Sequence, residues 1–136
     1  MAYEITYHHR LVYDVNDAGI TLPVIIAANG LTEAVTAAID TGSTLCVFQR
    51  EVAESLGLTG EDGIEDYVSA MGTIIRVYWH EATVTVGDLA LDLFVYFPDY
   101  QSIPRNLIGR QGFLQRLRFG LDDNEGIVYL SHHDDP

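Results

Sequence analysis

The sequence predicts an all-β domain carrying one or two short helices, on three observations. Apolar β-branched and aromatic residues fall in short runs, turn signals separate those runs at even spacing, and only two segments have helical periodicity. The first pair of runs, residues 21–28 (TLPVIIAA) and 31–39 (LTEAVTAAI), is joined by Asn29-Gly30. Asn-Gly suits a two-residue hairpin because both central positions of a type I′ turn need positive φ. Residues 73–86 and 89–97 flank Gly87-Asp88, a second tight turn. A third pair, 118–121 and 126–130, brackets the polar cluster Asp122-Asp123-Asn124-Glu125. Short strands so spaced fit a sandwich or a barrel.

Two segments break the rhythm. Residues 49–58 (QREVAESLGL) place Val52, Ala53 and Leu56 on one face, with Gly57 as a C-terminal stop. Residues 110–117 (RQGFLQRL) carry Phe113, Leu114 and Leu117 at helical spacing. Both read as short helices on a β core. Residues 59–66 (TGEDGIED) are Gly-rich and acidic and read as an exposed loop. The two ends, with His8-His9 and residues 131–136, read as partly mobile.

With 136 residues, the chain has the length of one domain spanning residues 1–136, large enough to bury a core without disulfides. The formal charge is −13, from seven basic and twenty acidic residues. Phosphate binding draws its affinity from Lys and Arg, so nucleic acid and anionic membranes are not expected partners. No run reaches the roughly 18 apolar residues of a membrane span, and the opening MAYEITYHHR lacks a signal peptide's apolar core. A soluble, cytoplasmic protein is expected.

The chemistry concentrates in residues 37–48 (AAIDTGSTLCVF), where an apolar strand runs directly into Asp40-Thr41-Gly42-Ser43-Thr44. A carboxylate there leaves the core among small hydrogen-bonding neighbours, beside a glycine that permits close approach of backbone or substrate. The same residue types also form an ordinary capped turn. A second element lies near the C-terminus: Leu107-Ile108-Gly109-Arg110, followed by the second helical segment. Cys46, the only cysteine, sits in the apolar run 45–48 and reads as a buried small hydrophobe. His8-His9, His80 and His132-His133 form no metal-binding pattern. Adjacent histidines on a strand face opposite ways, so no metal and no cofactor is expected.

Taken together, the Asn-Gly hairpin, the strand into D-T-G-S-T, a later Gly-containing hairpin and the late L-I-G-R resemble the retropepsin-like aspartic proteases, over roughly residues 21–130. That resemblance implies a closed barrel of short strands and a homodimer acting on extended peptide or protein. Asp40 matches the catalytic aspartate, with one copy supplied by each protomer. Thr41 matches the threonine that reaches the partner's backbone, and Gly42 the glycine whose carbonyl faces substrate. Ser43 stands where a hydroxyl can donate to the outer carboxylate oxygen. Leu107, Ile108 and Gly109 match the segment packed behind the catalytic loop. In retroviral relatives Arg110 pairs with an aspartate shortly after the motif. Here Thr44 and Leu45 occupy that region, so Arg110 needs another acceptor or a solvated role.

The flap implied by the family falls on residues 67–76, with Ala70, Met71, Gly72 and Thr73 at its tip. Ile74, Ile75, Val77 and Phe97 are candidate pocket walls or core residues. The resemblance implies an aspartic endopeptidase; the alternative is an inactive dimeric peptide-binding module of the same fold.

Overall fold

The computed structural model describes residues 1–58, 63–70, 72–99 and 103–136. Nine strands, one α-helix and one 3₁₀ turn make up the described elements. The strands are β1 (His9–Val12), β2 (Ile20–Ala28), β3 (Leu31–Ile39), β4 (Ile64–Ala70), β5 (Thr73–Val86), β6 (Leu89–Pro98), β7 (Asn106–Ile108), β8 (Leu117–Asp122) and β9 (Ile127–His132). The helix α1 covers Arg50–Ser55. A six-stranded sheet runs β4-β5-β2-β3-β7, with β6 also paired to β5, and a three-stranded sheet runs β1-β9-β8. The named strands alone do not close the expected barrel; the short segment at Val47 bridges β7 at Leu107 to β6 at Tyr96 and links the two ends of the β6-β5-β2-β3-β7 path.

The hairpins follow from their turns. Asn29 and Gly30 have φ of 55° and 74°, and Ala28 pairs with Leu31, the two-residue geometry that the sequence calls for. Gly87, at φ 60°, turns β5 into β6 with Val86 opposite Leu89. Alternation then fills the core. Leu22, Val24 and Ile26 of β2 and Leu89, Leu91, Leu93, Val95 and Phe97 of β6 are buried at every second position. The end of β3 departs from alternation, with Ala37, Ala38 and Ile39 all buried, because β2 and β7 flank it on both sides.

Three expectations are corrected. The first helix is confined to Arg50–Ser55, and Gly57 at φ 67° supplies the stop. Residues 110–117 do not form a second α-helix. Gly112 takes φ 84°, only Leu114–Arg116 wind as a 3₁₀ turn, and Leu117 already belongs to β8. Backbone bonds from Arg110 and Gln111 to the carbonyls of Ser43 and Thr44 hold this segment against the preceding loop, and its own bonds, from Leu114 to Gly109 and Gln115 to Arg110, span five residues in place of the four of an α-helix. Finally, Ile64, Glu65 and Asp66 are strand, not loop. They pair with Trp79, Tyr78 and Val77, and cross-strand packing outweighs their acidic, turn-like composition.

The ends of the chain meet. The His8 backbone N–H donates to Ser131 Oγ at 2.7 Å, and His9 lies within β1 opposite Leu130. Among the described residues no helix is long and apolar enough to cross a membrane.

Candidate active site

β3 delivers Asp40 to the surface of the large sheet at the point where β7 joins it. Ala37, Ala38 and Ile39 pair in parallel with Asn106, Leu107 and Ile108, and the Asp40 N–H donates to the Ile108 carbonyl at 2.9 Å. The chain then turns, with Ser43 N–H bonded to the Asp40 carbonyl at 3.1 Å. Beyond the turn it passes between β6 and β7: Val47 exchanges backbone bonds with Leu107 at 3.0 and 2.8 Å, and the Tyr96 N–H donates to the Cys46 carbonyl at 3.0 Å. Two segments distant in sequence are thereby locked around one short loop.

Within that loop, Asp40 Oδ1 accepts the Gly42 N–H at 2.9 Å. This bond orients the half-buried carboxylate. Thr41, Gly42 and Thr44 are exposed, whereas Ser43 is partly covered. The Ser43 hydroxyl donates to the Leu45 carbonyl at 2.7 Å. In place of the expected bond to the carboxylate, this hydroxyl braces the loop.

Behind the loop, Leu107 and Ile108 of β7 pair with Ala38 and Ile39, and Gly109 follows directly. Gly109 is fully packed: a Cβ there would fall on the Leu45 carbonyl oxygen and lie 2.6 Å from that of Ser43. Cys46 is buried against the same segment, accepting the Gly109 N–H at 3.4 Å. Burial pushes its thiol up to about 11, so it carries no nucleophilic charge near neutrality. Arg110 holds the loop through its backbone only. Its side chain is exposed beside Thr41, Leu114 and Phe119, and among the described residues its guanidinium has no partner.

A cleft of about 630 Å³ opens in front of Asp40. Its floor is Gly42, Ser43, Thr44 and Leu107; Leu45, Val47, Tyr96 and Ile103 form one wall, and Asp66, Tyr67, Val68 and Ser69 of β4 form the roof. The β4–β5 hairpin covers the site as a flap would, with Ala70 opposite Thr73 and Gly72 at φ 77°. Met71 of the expected tip lies outside the described residues. The suggested wall residues Ile75, Val77 and Phe97 are core, at 4%, 0% and 3% exposure, and Ile74 points to solvent. A second cleft of about 670 Å³, between Leu11 and the β2–β3 hairpin, is lined without any titratable side chain. Of these two, the first has carboxylates in its lining.

Asp66 and Tyr96 were not legible as site residues. The first was hidden in an apparent loop, and the second is one of several aromatics on strands. The period-two spacing of Ile64, Asp66 and Val68 was the available signal, obscured by the neighbouring Gly and Glu residues.

A strand ending in D-T-G-S-T, an apolar-apolar-Gly segment packed behind it and a hairpin over the carboxylate together define a retropepsin-like aspartic protease domain. The sequence profile described as aspartyl protease matches residues 22–111, well over half of the chain, and the chain belongs to that family. No curated protein matches the sequence. Among solved structures, the EIAV protease complexed with the inhibitor HBY-793 shares the fold, with a TM-score of 0.58 and 18% identity. The match covers 77% of this chain and 92% of that one.

Proposed function

We propose that the chain is an aspartic endopeptidase that works as a homodimer, with two Asp40 carboxylates meeting across the two-fold axis. The observation that carries this reading is the oriented Asp40 carboxylate, fixed by Gly42 and facing a roofed cleft of about 630 Å³. One chain supplies one D-T-G-S-T, so the paired carboxylates of this chemistry require a second copy. Several exposed groups support pairing. Thr41 and the unpartnered Arg110 lie together at the surface, and Tyr3 and Ile5 are 84% and 59% exposed on an amphipathic N-terminal segment. Exposed apolar residues in such a row suit a subunit contact.

Two carboxylates at contact distance cannot both ionise easily and share one proton. The ionised Asp40 takes a proton from a water held between them, and that water attacks the peptide carbonyl. The protonated Asp40 stabilises the developing oxyanion, and a proton passed to the leaving amine completes hydrolysis. Substrate lies extended beneath β4, adding main-chain bonds as a further strand. The reaction needs no covalent intermediate.

The test is to incubate the protein with a diverse peptide mixture across the acidic-to-neutral range, beside Asp40→Asn, and to map cleavage by mass spectrometry. Cuts that vanish in Asp40→Asn and in the presence of a statine-type inhibitor are expected. A dimer by sedimentation that binds peptides without cutting at any pH would replace this reading with the peptide-binding module.

A further inference from the structure

We propose that Asp66 is a specificity-determining residue that selects a basic side chain, lysine or arginine, in the bound peptide. The inference rests on the reading of the cleft as a peptide site. Asp66 lines the cleft with Tyr67, Val68 and Ser69 and shares one face of β4 with Val68, while Glu65 is on the other face, is absent from the lining and pairs with Arg76 at 3.0 Å. Two carboxylates therefore sit side by side in sequence with different fates. Glu65 is neutralised by an arginine outside the cleft, and Asp66 is not.

The hydrogen bonds of Asp66 point the same way. Its Oδ1 accepts the Tyr67 N–H at 2.8 Å, and among the described residues Oδ2 has no partner. The nearest arginine across the hairpin, Arg76, is occupied by Glu65 and by Asp99 at 3.5 Å. The cleft lining includes Asp40 and Asp66 and not one cationic side chain. The field of Asp66 reaches across to the opposite wall: burial, and then its charge, hold the Tyr96 hydroxyl above the usual phenol range. Tyr96 thus presents a neutral, polar-tipped wall facing a free carboxylate.

Between them the walls are apolar: Leu45, Val47, Val68, Ile103 and Leu107. Such a subsite suits a side chain with an aliphatic stem and a charged end. The stem lies along the apolar wall, and the head remains near Asp66 and water at the mouth. An acidic side chain would meet Asp66 without any compensating cation. A purely aliphatic one would leave the carboxylate as unpartnered as before. The net charge of −13 favours approach of the same basic peptides.

The experiment uses a panel of short fluorescent peptides in which lysine, norleucine or glutamate occupies each position in turn. Cleavage and binding by anisotropy are both measured on the parent protein, Asp66→Asn and Asp66→Lys, and binding also on Asp40→Asn. At one position lysine is expected to exceed norleucine by about fivefold, the scale of a partly exposed ion pair. The ratio falls to near one in Asp66→Asn, and glutamate becomes the preferred residue in Asp66→Lys. A lysine-to-norleucine ratio unchanged by both Asp66 substitutions, or no lysine preference anywhere, overturns the proposal. If peptides bind with the expected preference and none is cut, the selectivity of Asp66 stands and the endopeptidase reading alone fails. If peptides neither bind nor are cut, both fall.

Discussion

The backbone of Gly109 is wedged against the carbonyl oxygens of Leu45 and Ser43, so closely that no side chain fits between them. This contact joins the loop that bears Asp40 to the segment after β7. It makes Gly109 the position where the smallest addition does most harm. Gly109→Ala forces the two backbones apart and is expected to cost about 3 kcal/mol, the upper end of overpacking, because backbone atoms cannot move aside like a flexible side chain. Urea denaturation of the two proteins measures it. Peptide cleavage, if the endopeptidase reading holds, falls further than stability does.

Asn106 is 3% exposed and uses both ends of its amide. Oδ1 accepts the Gln49 N–H at the start of α1 at 2.7 Å, and Nδ2 donates to the Thr36 carbonyl at 3.0 Å. Asn106→Leu removes both bonds from the partly buried Gln49 N–H and Thr36 carbonyl and is expected to lower stability by about 1–3 kcal/mol. Asn106→Asp keeps an acceptor for Gln49 and loses the donor to Thr36. Its deficit should shrink as pH falls and the carboxyl regains a proton. Denaturation midpoints of both variants at two pH values check this.

Alkaline pH should destabilise the fold through two protonated groups. The Cys46 thiol is pushed from 9.0 to about 11 by burial. Tyr13 is pushed from 10.0 to about 12 by burial and by the carboxylate of Asp123, to which its hydroxyl donates. Both folded values are raised, so the folded state holds these protons more tightly than the unfolded chain. The associated stability is complete below about pH 9 and declines as pH rises towards 12. A steady fall in the urea midpoint over that range is expected. Tyr13→Phe should flatten its upper part and Cys46→Ala its lower part.

Arg76 ties the hairpin over the cleft to the end of β6 through Glu65 and Asp99, and stacks over the Tyr78 ring. The Glu65 pair is at the surface and adds little to global stability, whereas Asp99 is only 16% exposed and its buried Oδ2 faces Arg76. Arg76→Ala should therefore lower the denaturation midpoint more than Glu65→Ala does, and both should raise hydrogen exchange in residues 64–70. Equal exchange in that strand would show that backbone pairing with β5 alone holds it in place.

How far the sequence disclosed this arrangement depends on how local each signal is. The β2–β3 and β5–β6 hairpins were legible because Asn29-Gly30 and Gly87-Asp88 encode their own turns and the flanking residues alternate. Asp40 and the 107–109 segment were legible as a motif, although their contact is not local. The helix expected over 110–117 failed because Gly112 takes a left-handed φ of 84° and Leu117 is drawn into β8 opposite His132, a partner distant in sequence. β4 was only partly legible. An acidic, Gly-rich stretch has no strand preference of its own and becomes a strand by pairing with β5. Asp66 was missed with it. The Ser43 hydroxyl illustrates the same limit at the scale of one bond, since two acceptors were within reach and only three-dimensional geometry chose between them.

The parallel pairing of β3 with β7 has a consequence for biosynthesis. Ala37 meets Asn106 and Ile39 meets Ile108, so the loop between them has no floor until nearly seven further tenths of a hundred residues have been made. Hairpins such as β2–β3 close early and locally, while a join of such long sequence separation comes late in folding. A growing polypeptide therefore carries Asp40 on an unsupported turn until β7 has emerged and docked beside β3. Under the proposed reading, no hydrolytic centre exists before that join is made.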